Sequence, residues 1–375
     1  MIRHSAWLPL LTPELRSGGA LSILGLAGWC GSLWFKVALL LVIGKIFCAV
    51  FVLWIGSAGV ALQAQDLSRV TVTRLLDRPI ITADMDARMG TNIQGPSLIR
   101  VPNWVENPLG KYYLYFSEHK GEYIRLAYAD EVTGPWTVYS PGTLQLSQSF
   151  FPETCPPCSV PEDSVVPAYA HIASPDVIVR EDRKELVMYV HGREPMVQVT
   201  RLARSSNGVD FEGEPEILGR PYFRTFLYKE HWYGLAMPGF FYRSVDAYTG
   251  FEEGPRFFNN DMRHSAVLVR GDTLYVFWTR VGHAPESILL TTISMSDDWT
   301  AWSESETVEV LRPEHPWEGA DLPVLPSVRG DITVPANQLR DPAVFEEEGQ
   351  VFLLYAVAGE SGIAIARVDG IPPAN

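Results

Sequence analysis

Cysteine is scarce in this sequence: of four, Cys30 and Cys48 fall in an apolar leader, and only Cys155 and Cys158 of "ETCPPCSV" remain beyond residue 65. One CxxC with no second pair excludes a structural zinc site, which needs four ligands. In an oxidising compartment this pair closes a small disulfide in a proline-stiffened loop, a staple rather than a redox centre. Basic residues are also few, 30 against 44 acidic, for a net charge of −14. Such a surface repels nucleic acid and anionic membranes, so nucleic acid is not expected as a partner. Helical periodicity is missing after Gln65, and no nucleotide loop or nicotinamide fingerprint occurs. No cofactor is therefore expected to be required, and a structural Ca²⁺ is the ion that an acidic, cysteine-free channel invites.

Long hydrophobic runs are confined to the N-terminal part. "GALSILGLAGWCGSLWF" and "VALLLVIGKIFCAVFVLWIGSAGVAL" span residues 19–62 with Lys36 and Lys45 as their only charges. Lys45 and the residues after it read as a charged n-region, an apolar h-region and a small-residue cleavage site near Ala61 or Ala64. The stretch before about Val42 is too long for a signal peptide, so either the true start lies inside the sequence or two stretches stay in the membrane. The expected division is a signal peptide or membrane anchor over 1–64 and one large all-β domain over 65–375. The protein is expected to be secreted or periplasmic, meeting a membrane only through an uncleaved N-terminal segment. Residues 1–64 carry Arg3, Arg16, Lys36, Lys45 and Glu14, so the remainder has 26 basic and 43 acidic side chains, a net of −17. That balance suits a neutral or cationic ligand.

What the chain does have is a phrase repeated about every forty-five residues. Copies begin at Gly95 ("GPSLIRVPNW…KYYLYFSEHKGEYIRLAYA"), Ser174 ("SPDVIVREDRKELVMYVHGREPMVQVTRLA"), Arg263 ("RHSAVLVRGDTLYVFWTRVG") and Arg340 ("RDPAVFEEEGQVFLLYAVAGESGIAIARV"), with a weaker one at Arg220. Each has an apolar run, a turn, a "YxLY"-like run, a polar loop and a third run, which is a strand, hairpin and strand pattern. Several strands per unit at this period predict propeller blades, here five, with residues 140–173 and 303–339 as insertions. A β-sandwich explains the strands but not the copied phrasing. The fifth copy stops after its third strand at Val368, and "VTVTRLL", residues 70–76, is placed to supply the outer strand that closes the ring.

In a propeller the innermost strand starts at one face, and the loop joining the second and third strands returns to it. The strand starts are Asp176, Arg224, Arg263 with His264, and Arg340 with Asp341. The returning loops are Glu118, His119 and Lys120, then His191 and Arg193, then His283 and Glu286, then Glu360. Charges converging on a narrow funnel suit glycosidic bond cleavage, which needs one acid and one carboxylate base or nucleophile of different pKa. Asp176, Asp341, Glu286, Glu318 and Glu360 supply the carboxylates, and Trp104, Trp278 and Trp317 are candidates to stack on sugar faces.

The five copies, with "SPDV" at Ser174–Val177, "RDPAVF" at Arg340–Phe345 and "AGESGIAIA" at Ala358–Ala366, resemble the five-bladed propeller glycoside hydrolases of the arabinanase, β-xylosidase, invertase and levansucrase superfamily. Families 43 and 117 are the nearest in pattern, family 32 more distant. The resemblance implies an exported hydrolase acting on a carbohydrate substrate, with a base Asp on the first blade, a pKa-modulating Asp and an acidic Glu or His. Here the first-blade "DPS" reads "GPS", with Gly95 at the base position, and Asp84 or Asp86 in "TADMDARMG" is the nearest substitute. Asp176 is expected to modulate or act as base, and Glu318 of "WEGADLP" or His264 to protonate the leaving group. Glu118, His119, His191, Arg224, Arg263, Glu286, Arg340, Asp341 and Glu360 are expected to bind substrate. The alternatives are a non-catalytic carbohydrate-binding propeller, favoured by Gly95, and a glycan phosphorylase or transferase on the same fold.

Overall fold

The computed structural model describes residues 67–154 and 169–374. The leader expected over 1–64 and the Cys155–Cys158 staple lie outside the described residues. Five antiparallel sheets follow one another along the chain as the blades of a propeller. Their innermost strands are Gln94–Arg100, Ile172–Arg180, Arg224–Tyr228, Met262–Arg270 and Arg340–Glu347, and each packs beside the next around the ring. The second strands are the apolar runs of the repeat. Tyr112–Ser117, for example, is buried at every position, because a blade is covered on both faces by its neighbours and has no solvent side to be polar on.

The core is correspondingly divided into five apolar clusters, one between each pair of adjacent blades. Tyr113 and Leu126 meet Met188 and Val190 between blades 1 and 2, and Phe223 and Tyr242 meet Val187 and Leu202 between blades 2 and 3. Phe226 and Leu235 meet Val276 and Trp278 between blades 3 and 4, and Phe277 and Leu290 meet Leu353 and Ala366 between blades 4 and 5. Leu354 and Ile365 meet Leu98 and Leu114 where blade 5 returns to blade 1. Each large side chain so buried contributes about 1.5–3 kcal/mol.

The ring closes as the sequence indicated: Thr71–Arg74 pairs with Gly362–Asp369, Thr71 opposite Asp369 and Arg74 opposite Ala366. The insertion expected over 303–339 is shorter than read, since Ser303–Glu304 and Val308–Leu311 join blade 4 as outer strands. The alternation of that stretch was masked by its charged residues.

Four inner strands carry a bulge at the same register. Pairing jumps from Gln94 to Ser97, from Ala173 to Asp176, from Met262 to Ser265 and from Arg340 to Ala343, each against two residues of the second strand. Gly95, Ser174, Arg263 and Asp341 are therefore equivalent around the ring. Three of them, Gly95, Ser174 and Asp341, have positive φ of 62°, 48° and 49°. Such bulges re-aim a side chain that regular pleating would hold in the sheet.

Candidate functional site

The mouth reached by the inner-strand starts holds a charged network on its blade 4, blade 5 and blade 1 side. Arg340 is at its centre, with Nε 3.3 Å from Glu286 Oε2 and Nη1 2.8 Å from Glu360 Oε1. Arg263 Nη1 stands 3.3 Å from the same Glu286 oxygen. Asn92 Nδ2 donates to Glu360 Oε2 at 2.6 Å, and His119 Nδ1 lies 3.1 Å from that oxygen. Arg340, Asp341 and Glu286 are 0% exposed, so each charge depends on its partners rather than on water. Burial would raise the Glu360 carboxyl, but His119, Arg340 and Asn92 hold it down to about 2. Segment 328–332 roofs this network, its Val328 and Gly330 carbonyls accepting from Arg263 and its Ile332 carbonyl from Asn92.

Beside the network runs a file of rings. His171 lies 5.5 Å from His191, His191 3.9 Å from Tyr222, Tyr222 4.5 Å from His264 and His264 6.5 Å from His119. His264 Nδ1 meets Asp341 Oδ1. Burial pushes the His264 imidazole well below its ordinary pKa, with the Arg263 guanidinium adding to the shift. As a neutral ring it can give its Nδ1 hydrogen to Asp341 and keep a lone pair on Nε2. Several buried polar atoms have no hydrogen-bond partner among the described residues: Asp341 Oδ2, Glu286 Oε1, Arg340 Nη2 and both ring nitrogens of His191. Orphans of this kind are rare in stable interiors and cluster where a ligand completes the bonding.

The histidines make a pH prediction. Burial lowers His171 to about 4 and pushes His191 well below its ordinary range. Below pH 6.5 the unfolded chain takes up these protons and the folded one does not, so stability is full above 6.5 and falls as pH drops toward 4. The slope is about 1.4 kcal/mol per group per pH unit. Glu360 acts only lower, losing its contribution between about 4.5 and about 2. Melting temperature should therefore fall clearly between pH 7.5 and 5, and a flat profile there would refute the buried neutral pair.

Several residues expected at the site lie elsewhere or are otherwise engaged. Asp176 is not equivalent to Asp341: it stands two residues further along the bulge, in the register of Ser97. Its Oδ2 accepts from Thr225 N and Oγ1 at 2.7 and 2.8 Å, clamping blade 2 to blade 3. Ser97 Oγ makes the same bond to Val177 N between blades 1 and 2. Burial raises the Asp176 carboxyl and Arg224 opposes it. Arg224 binds carbonyls of three blades, Ser265 O at 2.8 Å, Phe223 O at 3.1 Å and Ser174 O at 3.4 Å, as a strut. Glu318 is buried at the outer edge of blade 5, bound by Arg74 Nε and Nη2 at 2.8 Å each, by Tyr355 and by the Glu314 and His315 N–H groups. It clamps the ring-closing strand and is not joined to the funnel network. Asp86 caps a short 3₁₀ turn through Arg88 N at 2.8 Å and bonds Ser140, and Asp84 is exposed on Thr82.

Glu118 stays at the rim, 3.0 Å from Arg125 Nη2. Trp278 is buried and donates to Thr291 at 3.0 Å, so it is core rather than a sugar platform. His283 bonds Ser287 and takes no part in the file of rings, where His171 stands instead.

Between blades 1 and 2 the inner strands meet through neutral side chains. Gln94, Ser117 and Ser174 bond one another there at 2.9–3.1 Å. A Cβ on Gly95 would lie 2.9 Å from Ser174 Cα and 3.1 Å from its Oγ, so that strand has no space for the carboxylate the resemblance expects. Asn92 and Tyr222 are members of the site that the sequence reading missed. Asn92 stands ahead of the first copy and Tyr222 lies within the weak copy begun at Arg220, and only their place just before an inner strand hinted at them. Among the described residues no three His, Cys, Asp or Glu side chains are grouped to hold a metal ion. The mouth carboxylates Glu286, Glu360 and Asp341 lie against Arg263, Arg340 and His264.

No protein-family model matches the chain. Over 304 residues, 74% of this chain and 83% of the relative, it is 37% identical to "Uncharacterized protein R118" of Acanthamoeba polyphaga mimivirus. It is similar in fold to a family 43 β-xylosidase/α-arabinofuranosidase from a compost microbial metagenome, solved with xylotriose. That likeness has a TM-score of 0.50 and 10% identity, over 79% of this chain and 95% of that one. It is similar also to a family 43 enzyme of Xanthomonas citri complexed with xylose, with a TM-score of 0.50 and 11% identity, over 79% and 90% of the two chains. The chain thus belongs to one family with the mimivirus protein, built on the five-bladed propeller that family 43 glycoside hydrolases share.

Proposed function

We propose that the protein is an exported glycoside hydrolase whose substrate is a neutral poly- or oligosaccharide bound in the funnel between blades 4, 5 and 1. The observation that carries this reading is the set of buried, unpartnered polar atoms on Asp341, Glu286, Arg340 and His191. A sugar offers hydroxyls that donate to the carboxylates and accept from the guanidinium, so one ligand class meets the whole set. Likeness of fold to a β-xylosidase/α-arabinofuranosidase solved with xylotriose and to a family 43 enzyme complexed with xylose adds support at the level of architecture. Hydrolysis needs two proton-handling groups. In this reading they are Glu286 and the His264–Asp341 pair, while Arg263, Arg340 and His119 hold hydroxyls and Glu360 stays ionised as their support.

A second reading, a binding propeller without turnover, is favoured by Gly95, which leaves blade 1 without its expected carboxylate. The test is turnover of a panel of aryl glycosides and natural oligosaccharides by the full chain beside Glu286→Gln. Release of sugar that Glu286→Gln lowers about 100-fold or more supports hydrolysis. Saturable sugar binding with no release selects the second reading, and absence of both overturns the two together.

A further inference from the structure

The equivalent bulge positions around the ring carry Gly95, Ser174, Arg263 and Asp341, and Asp341 is the one carboxylate among them. Gly95, Ser174 and Asp341 share more than register: all three have positive φ, 62°, 48° and 49°, and each precedes a proline, Pro96, Pro175 and Pro342. Blades 5 and 1 are neighbours, so Asp341 stands one blade away from the place at which the resemblance expects a carboxylate. Its surroundings differ from those of every other acid at the mouth. Glu360 is bonded through both oxygens, and Glu286 lies against two guanidiniums. Asp341 is 0% exposed, its Oδ1 lies against His264 Nδ1 as an ion-pair contact, and neither of its oxygens has a further hydrogen-bond partner among the described residues.

We propose that Asp341 has taken over on blade 5 the place that Gly95 vacates on blade 1, and that it serves as a positioning residue, holding the His264 proton on Nδ1 so that Nε2 moves the proton of the reaction. The arrangement follows the general logic of a carboxylate fixing the tautomer of a base. With Nδ1 engaged by Asp341, Nε2 is the remaining site on the ring for a proton, and it makes no hydrogen bond among the described residues. In hydrolysis the attacking water bonds to the anomeric carbon and gives its proton to Nε2. The glycosidic C–O bond breaks, the leaving oxygen takes its proton from Glu286, the second proton-handling group of the hydrolase reading, and Asp341 neither gains nor loses one. The other charged or titratable groups about the ring are Arg263, His119, Arg224 and His191, with the Tyr222 ring 4.5 Å away and tilted by 42°. None of these bonds Nδ1 in place of Asp341. This inference rests on the hydrolase reading for its proton transfer, but the link between Asp341 and His264 is observable without turnover.

The experiment compares the full chain with Asp341→Asn and His264→Gln, using ¹⁵N-histidine labelling and steady-state kinetics on whichever glycoside the panel identifies. Asn tolerates the left-handed backbone at 341, and Asp341→Ser is the second variant, since Ser174 already adopts that conformation on blade 2. The expected result is an Nδ1–H signal that His264→Gln assigns and that Asp341→Asn removes or shifts. With it come a fall in kcat of about 100-fold or more and KM within about threefold. Asp341→Asn should also shift the acidic limb of the pH–rate profile, where protonation of the His264 base stops the reaction, and a merely structural role would leave that limb in place. An Nδ1–H signal unchanged in both Asp341 variants overturns the inference, as does unchanged kcat. A wild type that binds sugar without turnover overturns the hydrolase reading and the proton transfer, while the signal still decides whether Asp341 positions His264.

Discussion

Gly95→Asp, the substitution that restores the family-like "DPS" on blade 1, is expected to destabilise the protein by about 2–4 kcal/mol and to create no new activity. Two costs add. A non-glycine residue at φ 62° is strained by about 1 kcal/mol even for Asp, which tolerates that region better than most. The larger cost is overpacking: the new Cβ would sit 2.9 Å from Ser174 Cα, a backbone atom of the adjoining inner strand that cannot rotate away, and such insertions cost about 1–3 kcal/mol. The carboxylate would also enter the neutral bonds among Gln94, Ser117 and Ser174. Melting temperature should fall by roughly 5–10 °C. A variant as stable as the parent would show that blade 1 can yield, and that the absence of Asp there is not set by packing. The same measurement on Gly95→Ala separates the terms, since Ala keeps the Cβ contact and lacks the carboxylate.

Arg74→Met should be costlier still, by about 3–5 kcal/mol, with little change in any turnover of the folded fraction. Arg74 belongs to the strand that closes the ring, and its guanidinium holds Glu318 through two bonds of 2.8 Å and the Arg312 carbonyl through a third of 2.7 Å. Glu318 is 0% exposed. Met replaces the stem of the arginine but leaves the carboxylate buried and short of its cation, and a charge stranded in this way is among the more severe single-site defects. Arg74→Met with Glu318→Gln should recover part of the loss, because the amide needs no cation. Denaturant unfolding of the three variants gives the coupling directly. If Arg74→Met costs under 1 kcal/mol, the clamp contributes no more than a surface pair and ring closure rests on strand pairing alone.

How much of this was legible in the sequence differs by element. The blades were readable because their cause is local: an apolar run, a turn and a second run repeat in each copy, and a strand covered on both faces must be apolar at nearly every position. Closure by residues 70–76 was readable by subtraction, since the last copy lacked one strand. The convergence of Arg263, His264, Glu286, Arg340, Asp341 and Glu360 followed from the propeller rule that strand starts and returning loops share a face.

What the sequence could not supply was register. "SPDV" and "RDPAVF" invite an alignment of Asp176 with Asp341, yet the bulge aligns Asp341 with Ser174 and turns Asp176 toward Thr225 of the next blade. A shift of that size changes which way a carboxylate points, and it depends on pairing with a second strand that periodicity leaves free to slide. Glu318 and Asp86 were misplaced for a related reason. Their motifs give residue type and order, while the groups that engage them, Arg74 and Ser140, come from 244 and 54 residues away. The sequence by itself determined the five-bladed ring and the sign and number of charges near its mouth, because those follow from hydrophobic pattern and chain order. Only the tertiary structure decided which charges face one another and which are used up as clamps, because burial without water makes each charge's role depend on the partner that folding brings to it.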